Sequence, residues 1–376
     1  MIAVLIGIYR MERSAKCISL IAVMLSFGSE VRAQSATEFY GELNVGVLVL
    51  NDGAQTDDFV VDNTTIPSRL GLRYLIPDTG IGSFRINLET GLPTDSKSFR
   101  VNQQFTGAFA DADFQRTDLR LFQVEWDTPT AGRITVGQGW MSTFLNGASD
   151  LSGTNNIAGS NMPINNGGGR LIRTKDGALT GIRFSDGIGR LFGSRRFRVR
   201  YDSPDLGGLT ISSSVGREIL VDYDDQTYAD FALRYGSSGL FSGFDVKADI
   251  GYSHASDSAD YVNGSVAVLH RQTGLNALLA SGGYDDGSVY INGKVGVLRD
   301  FWGYGADHKT AVAIQYFEGS DFSTDGSKIA YISFSVVQYL GATLQVYATH
   351  ALQRYSDPQD SYQNGASTFI GARYQF

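Results

Sequence analysis

From Phe39 onward apolar and polar residues alternate with a period of two, the signature of strands whose faces meet different surroundings. In the first segment Phe39, Gly41, Leu43, Val45, Val47 and Val49 share one face, and Glu42 and Asn44 share the other. A polar stretch that reads as a loop follows, to about Pro67. Leu70, Leu72 and Tyr74 then alternate with Arg69 and Arg73. Pro77-Asp78-Thr79-Gly80 supplies tight-turn residues, after which Phe84, Ile86 and Leu88 alternate with Arg85, Asn87 and Glu89. A second long polar stretch, about Pro93 to Thr117, returns as Phe122, Val124 and Trp126 against Gln123 and Glu125. The turn Thr128 to Gly132 leads into a fifth strand, Ile134 to Gln138.

The segment after that strand, 140–195, breaks the pattern. It is polar and irregular, rich in Asn, Ser and Gly up to Gly167-Gly168-Gly169, and its carboxylates are Asp150, Asp176 and Asp186. It runs into Arg196-Phe197-Arg198-Val199-Arg200-Tyr201, which puts three arginines on one strand face. A loop this long is functional or disordered, and a face of guanidiniums must be wet or paired. Together they predict a loop folded against a charged, water-filled wall.

The second half repeats the alternation with shorter connections. It is cleanest where Phe244, Val246, Ala248, Ile250 and Tyr252 alternate with Asp245, Lys247 and Asp249. No amphipathic helix of convincing length occurs. The expectation is an all-β chain of about sixteen antiparallel strands, joined alternately by short turns and longer polar loops.

Composition decides between a soluble sandwich and a membrane barrel. The chain has 376 residues, 19% charged, with 45 Gly, 19 Tyr and 22 Phe; average usage is about 25% charged and about 7% Gly. Residues 1–33 read as a signal peptide, with Arg13 and Lys16 before an apolar run from Cys17 to Phe27 and a small-residue cleavage site at Ala33. Met11 serves as the start in this reading, and 1–10 as an over-extended gene start. The apolar run is short of the roughly 20 residues that a membrane-anchoring helix needs. Removing 1–33 discards the only cysteine and takes the net charge from −8 to −10, through loss of Arg10, Arg13, Lys16, Arg32, Glu12 and Glu30. That balance argues against nucleic acid as a partner. An exported chain lacking an apolar helix is soluble or a membrane barrel. Aromatic residues gather where strands meet short turns: Tyr40, Tyr74, Phe84, Trp126, Tyr201, Tyr235, Phe244 and Tyr374. Such a girdle suits a membrane interface, and residues 34–376 are expected to form a transmembrane barrel in an outer membrane.

At this point a family resemblance enters. Tyr374-Gln375-Phe376 resembles the C-terminal assembly signal of Gram-negative outer-membrane proteins. Ser68-Arg69-Leu70-Gly71-Leu72, Thr135-Val136-Gly137-Gln138, and Val199-Arg200-Tyr201-Asp202-Ser203-Pro204 with Gly207-Gly208 resemble general bacterial porins, closest to those of non-enteric proteobacteria. The resemblance implies a sixteen-stranded homotrimer embedded in outer-membrane lipid. It also implies biogenesis through periplasmic chaperones and the barrel assembly machinery, and a lumen for small hydrophilic solutes. In that family a third long loop, after strand five, folds into the pore opposite a cluster of arginines. The acidic loop motif of enteric porins is not recognisable here.

The polar strand phase supplies the expected lumen charges. Basic groups are Arg69, Arg73, Arg85, Arg196, Arg198, Arg200, Arg234, Lys247, Lys294, Lys309 and Arg373; acidic groups are Glu42, Glu89, Glu125, Asp230, Asp245 and Asp249. Charged rings of this kind set ion preference. Arg69, Arg73, Arg85, Glu89, Glu125, Arg196, Arg198 and Arg200, with loop residues Asp150, Asp176 and Asp186, are the candidate constriction. Enzymatic motifs and metal-ligand spacings are missing, so neither catalysis nor a cofactor is expected. Asp321 to Gly326 resembles the start of a calcium loop but has Ile332 where the final Glu would stand; calcium bridging among the acidic outer loops stays open. The alternatives carried are a sugar- or nutrient-preferring channel and, in another class, a barrel enzyme or adhesin.

Overall fold

A computed structural model describes residues 37–376 apart from 78, 112, 145, 160–165, 189–192 and 238–241. The expected signal segment lies outside the described residues. Each alternating segment pairs with the next along the chain. The strands are β1 (Thr37–Asn51), β2 (Thr56–Asp62), β3 (Arg69–Ile76), β4 (Ser83–Gly91), β5 (Leu119–Asp127), β6 (Arg133–Trp140), β7 (Leu171–Arg173), β8 (Leu179–Arg183), β9 (Arg195–Asp202) and β10 (Leu209–Arg217). They continue as β11 (Thr227–Ser237), β12 (Phe244–Ala255), β13 (Ser258–His270), β14 (Leu275–Tyr284), β15 (Val289–Arg299), β16 (Thr310–Ser320), β17 (Lys328–Leu340), β18 (Leu344–Ser356) and β19 (Gly365–Gln375).

Closure comes from β1. One edge pairs antiparallel with β19, from Glu42↔Gln375 to Asn51↔Ala366. The other edge is shared, by β3 along Thr37–Glu42 and by β2 along Val45–Asn51. β2 and β3 therefore occupy one wall position, interrupted at 63–68, and the wall has sixteen positions. β7 and β8 form a separate hairpin. The expectation of about sixteen strands holds, with one correction: 56–62 is strand, not loop. Its apolar residues Phe59, Val60 and Val61 are consecutive, too short a run to show a period.

Alternation survives as a difference between outside and inside. Val47, Val60, Leu88, Val199, Ile250, Leu279, Val295, Phe334 and Ile370 point outward and are exposed. A continuous apolar exterior on a closed antiparallel barrel is what a bilayer demands, because no backbone edge remains unpaired. Tyr74, Tyr201 and Phe244 are exposed at the short-turn end, and Phe84 stacks on Trp126 with ring centroids 6.0 Å apart. Tyr40 leaves the expected girdle. It shares the inward phase of Glu42, donates its hydroxyl to Glu89 Oε2 at 3.0 Å, and carries the Arg73 guanidinium over its ring at 4.6 Å.

Connections 77–82, 128–132, 203–208, 271–274 and 341–343 at one end are short, whereas 92–118 and 141–194 at the other are long. The expected short/long alternation fades in the second half, where 256–257 and 285–288 are tight turns at the long-loop end. Lys309, expected on the wall, lies in the connection 300–309.

Candidate functional site

The segment 141–194 is an inner loop, held inside the barrel by apolar contacts that the sequence pattern did not announce. Ile172 and Phe184 are fully buried against Leu278 of β14, Tyr290 of β15, Phe317 of β16, Ile329 and Tyr331 of β17, and Tyr355 of β18. Ile157 and Ala158 pack with Leu48 and Leu50 of β1, Val337 of β17 and Phe369 of β19. Each fully buried aliphatic or aromatic side chain contributes about 1.5–3 kcal/mol. The upper inner wall from β13 to β19 is thus an apolar dock rather than a polar lumen surface. Glycine lets the loop backbone reach it. A Cβ on Gly187 would lie 1.9 Å from Ile329 Cγ2, and Gly153 takes φ +77° with its missing Cβ position 2.9 Å from Leu298 Cδ1.

Polar anchors complete the docking. Lys294 Nζ of β15 meets Asp150 Oδ2 at 2.6 Å, with both side chains at 0% exposure, and also donates to the Ala158 carbonyl. Arg170, fully buried, donates to Gln353 Oε1 at 2.7 Å. At the long-loop end Arg173 Nη2 pairs with Asp52 Oδ2 at 2.6 Å. Burial opposes ionisation of Asp52, but hydrogen bonds from Arg173, the Gln55 and Ala54 backbone N–H groups and Gln103 outweigh it and hold the carboxyl down at about 2.

The arginine strand meets the start of this loop through carbonyls. Arg198 donates to Gly137 O at 2.6 Å, Trp140 O at 3.0 Å and Gln123 Oε1 at 2.7 Å. Arg200 pairs with Asp202 at 2.6 Å and reaches Met141 O at 3.2 Å. Arg234 of β11 donates to the Ser142 carbonyl, to Phe144 O at 2.9 Å and to Asn146 Oδ1 at 2.8 Å. Arg196 meets Glu218 at 2.8 Å and Asp224 at 3.7 Å, lying over the Tyr228 ring at 4.1 Å. Planar donors thus satisfy the carbonyls of a loop that has no secondary structure to do so.

The expected pairing of inner-loop carboxylates with these arginines is not found among the described residues. Asp150 faces Lys294. Asp176 and Asp186 are exposed turn caps: Asp176 accepts from the Thr174 hydroxyl, which lowers its carboxyl below the usual value, and Asp186 accepts from the Arg183 N–H at 2.8 Å. Both precede a glycine, a turn signal visible in the sequence.

The remaining candidates form a network on the wall from β19 through β1 and β3 to β6. Arg373 pairs with Glu42 at 2.5 Å, and Glu42 also pairs with Arg69. Arg69 reaches Glu89 at 3.3 Å, Glu89 takes Arg120 at 2.6 Å, and Glu125 binds Arg85 at 2.7 Å and Arg133 at 3.4 Å. Arg73 pairs with Glu38 at 2.8 Å at the short-turn end. Arg120 escaped the alternation because of a bulge. Glu89 pairs with Leu121 and Thr90 with Leu119, so Arg120 is skipped by the ladder and its side chain meets Glu89. Tyr374 lies on the closing strand, its ring stacked with Phe376 at 6.1 Å. Phe376 exchanges backbone hydrogen bonds with Gly41 at 3.0 and 3.1 Å.

No group of three or more His, Cys, Asp or Glu side chains among the described residues is placed to hold a metal ion. The Asp321 segment is a turn, with Asp321 Oδ1 accepting from the Gly326 N–H at 2.6 Å.

The closed sixteen-position barrel, the loop folded inside it and the charged inner wall meet a family match. A family model described as Gram-negative porin covers residues 19–358. The chain belongs to that family. This porin is an outer-membrane β-barrel, and by the rule for such barrels its long loops face outward and its short turns the periplasm. Similar solved structures include the anion-selective porin from Comamonas acidovorans, at 14% identity over 91% of this chain and 100% of that one, with TM-score 0.58. Another is a Salmonella typhi OmpF complex with daunomycin, at 13% identity, 90% and 97% coverage and TM-score 0.56. A trimer form of OmpT from Vibrio cholerae matches at 14% identity, 90% and 99% coverage and TM-score 0.53. At these identities the likeness shows the fold. No curated protein sequence matches the porin at a significant level.

Proposed function

We propose that this porin is a passive diffusion channel for ions and small hydrophilic solutes, working as a homotrimer without cofactor or catalysis. The observation that carries the reading is the lopsided interior. The inner loop leans on the apolar wall of β13 to β18, so the solute path is left along the charged wall of β19, β1 and β3 to β6. There Arg69, Arg85 and Arg133 keep 22%, 28% and 40% of their side-chain surface accessible. Pairs this wet contribute about 0–1 kcal/mol each, so permeation accounts for them better than folding does. Arg196 and Arg198, at 4% and 3% exposure, act differently: they position the loop, and the path-facing cations are Arg69 and Arg85. The trimer form of the Vibrio cholerae OmpT supports the oligomer.

Liposome swelling tests the proposal. Vesicles carrying the folded porin should swell in isotonic small sugars at rates that fall with solute size. Swelling no faster than in empty vesicles would remove the channel reading.

A further inference from the structure

A cavity of about 340 Å³ opens between the two ends of the inner loop, at Met141 and Gly193, and the inward faces of β11 to β13. It sits toward the outer mouth, where an entering solute meets it first. Tyr228, Asp230, Ser253 and Tyr261 share the inward phase, while their neighbours Phe231, Tyr252 and Val262 are exposed on the outside. The cavity belongs to none of the ion-pair network described above on β19, β1 and β3 to β6.

Its chemistry is that of neutral hydrogen bonding beside aromatic faces. Arg196 brings donors but little free charge, since Glu218 and Asp224 flank it. Asp230 brings an acceptor already fixed by the Thr143 N–H at 3.2 Å and by the Thr143 hydroxyl. Tyr261 and Tyr284 present rings tilted against each other, with centroids 5.3 Å apart. The decisive group is the Tyr261 hydroxyl. Tyr261 is 7% exposed, and its oxygen makes no hydrogen bond of proper geometry. The adjacent Thr143 and Ser253 hydroxyls are 2.9 Å from each other, and Thr143 is also engaged with Asp230. A buried hydroxyl without a partner costs about 1–3 kcal/mol, and a ligand hydroxyl that reached it would recover much of that.

We propose that this cavity is a solute-binding subsite for a neutral polyol of monosaccharide size. Such a ligand offers hydroxyls that both donate and accept, and a C–H face to lay on tyrosine. Small-molecule sites start at about 300 Å³, so the volume admits one sugar ring. The carboxylates of Asp224 and Asp230 work against an anion. The inference rests on the channel reading and adds to it a saturable site.

The test is single-channel current in planar bilayers with D-glucose added to the side of the long loops. Wild type should show closures whose frequency saturates with glucose. Tyr261→Phe, which keeps the ring and packing, should conduct normally while its half-saturating concentration rises by about three- to ten-fold, the worth of one neutral hydrogen bond. Glucose changing current only in proportion to viscosity would overturn the subsite while leaving the channel standing. So would unchanged block in Tyr261→Phe, or block by tetramethylammonium in place of glucose. A protein that conducts nothing would instead fail the channel reading itself.

Discussion

The Lys294–Asp150 pair offers the sharpest perturbation of the inner loop. The two side chains are at 0% exposure and 2.6 Å apart, and Asp150 Oδ1 also accepts from the Ser152 N–H at 2.7 Å. Asp150→Asn or Lys294→Met leaves one buried charge without its counter-charge, which costs about 3–5 kcal/mol. The wall ladder of β14, β15 and β16 does not pass through the pair, so the cost falls on docking of the loop rather than on the barrel. At about 1.4 kcal/mol per decade the docked fraction should lose a hundred-fold or more in its equilibrium against the released state. The assay is trypsin cleavage of the folded porin in detergent, followed by single-channel conductance. Both single variants should be cut within 141–194, at Arg170, Arg173 or Lys175, and should conduct more, with greater noise. Asp150→Leu with Lys294→Met removes both charges together and should recover most of the resistance, because an apolar pair of similar volume can replace a buried ion pair. Single variants as resistant as wild type, or a double variant worse than either, would refute the reasoning.

Three further outcomes follow from the same geometry. Asp52 is depressed from 3.8 to about 2, so its clamp on Arg173 is complete above the ordinary carboxylate value and fails as pH falls through about 2; hydrogen exchange of 171–183 should stay slow at pH 4 and rise near pH 2, and Asp52→Asn should show fast exchange at both. Gly187→Val puts a side chain where Ile329 Cγ2 is 1.9 Å from the Cβ position, and overpacking of this kind costs about 1–3 kcal/mol; the thermal transition should fall, and an unchanged one would mean that the loop does not press on β17. Arg69→Ser with Arg85→Ser removes path-facing cations, so reversal potentials in a salt gradient should move toward cation preference, whereas Arg198→Ser should mainly loosen the loop and raise noise.

The exterior of this barrel was legible in the sequence because lipid enforces it. Each outward position must be apolar, and Phe244 to Tyr252 or Thr368 to Tyr374 announce their faces by period alone. The interior obeys no such rule. Where the inner loop docks, Ile329, Tyr331 and Val337 of β17 are apolar on the inner face while Ile332 and Phe334 are apolar on the outer one. The loss of alternation in that strand was itself the sign of a dry inner surface. Arg120 was hidden by a bulge and β2 by its brevity. The Asp150–Lys294 pair joins a loop to a distant strand, and no local pattern specifies such a meeting. The turn-capping roles of Asp176 and Asp186 were readable from Asp176-Gly177 and Asp186-Gly187, but the porin resemblance drew attention toward the arginines instead.

The central claim is an open aqueous path along the charged wall, and single-channel recording of the folded wild-type porin in planar bilayers tests it most directly. The account predicts discrete, ohmic conductance steps in plain salt solution, appearing in groups of three for a homotrimer. A folded, membrane-inserted protein that leaves the bilayer silent would contradict it.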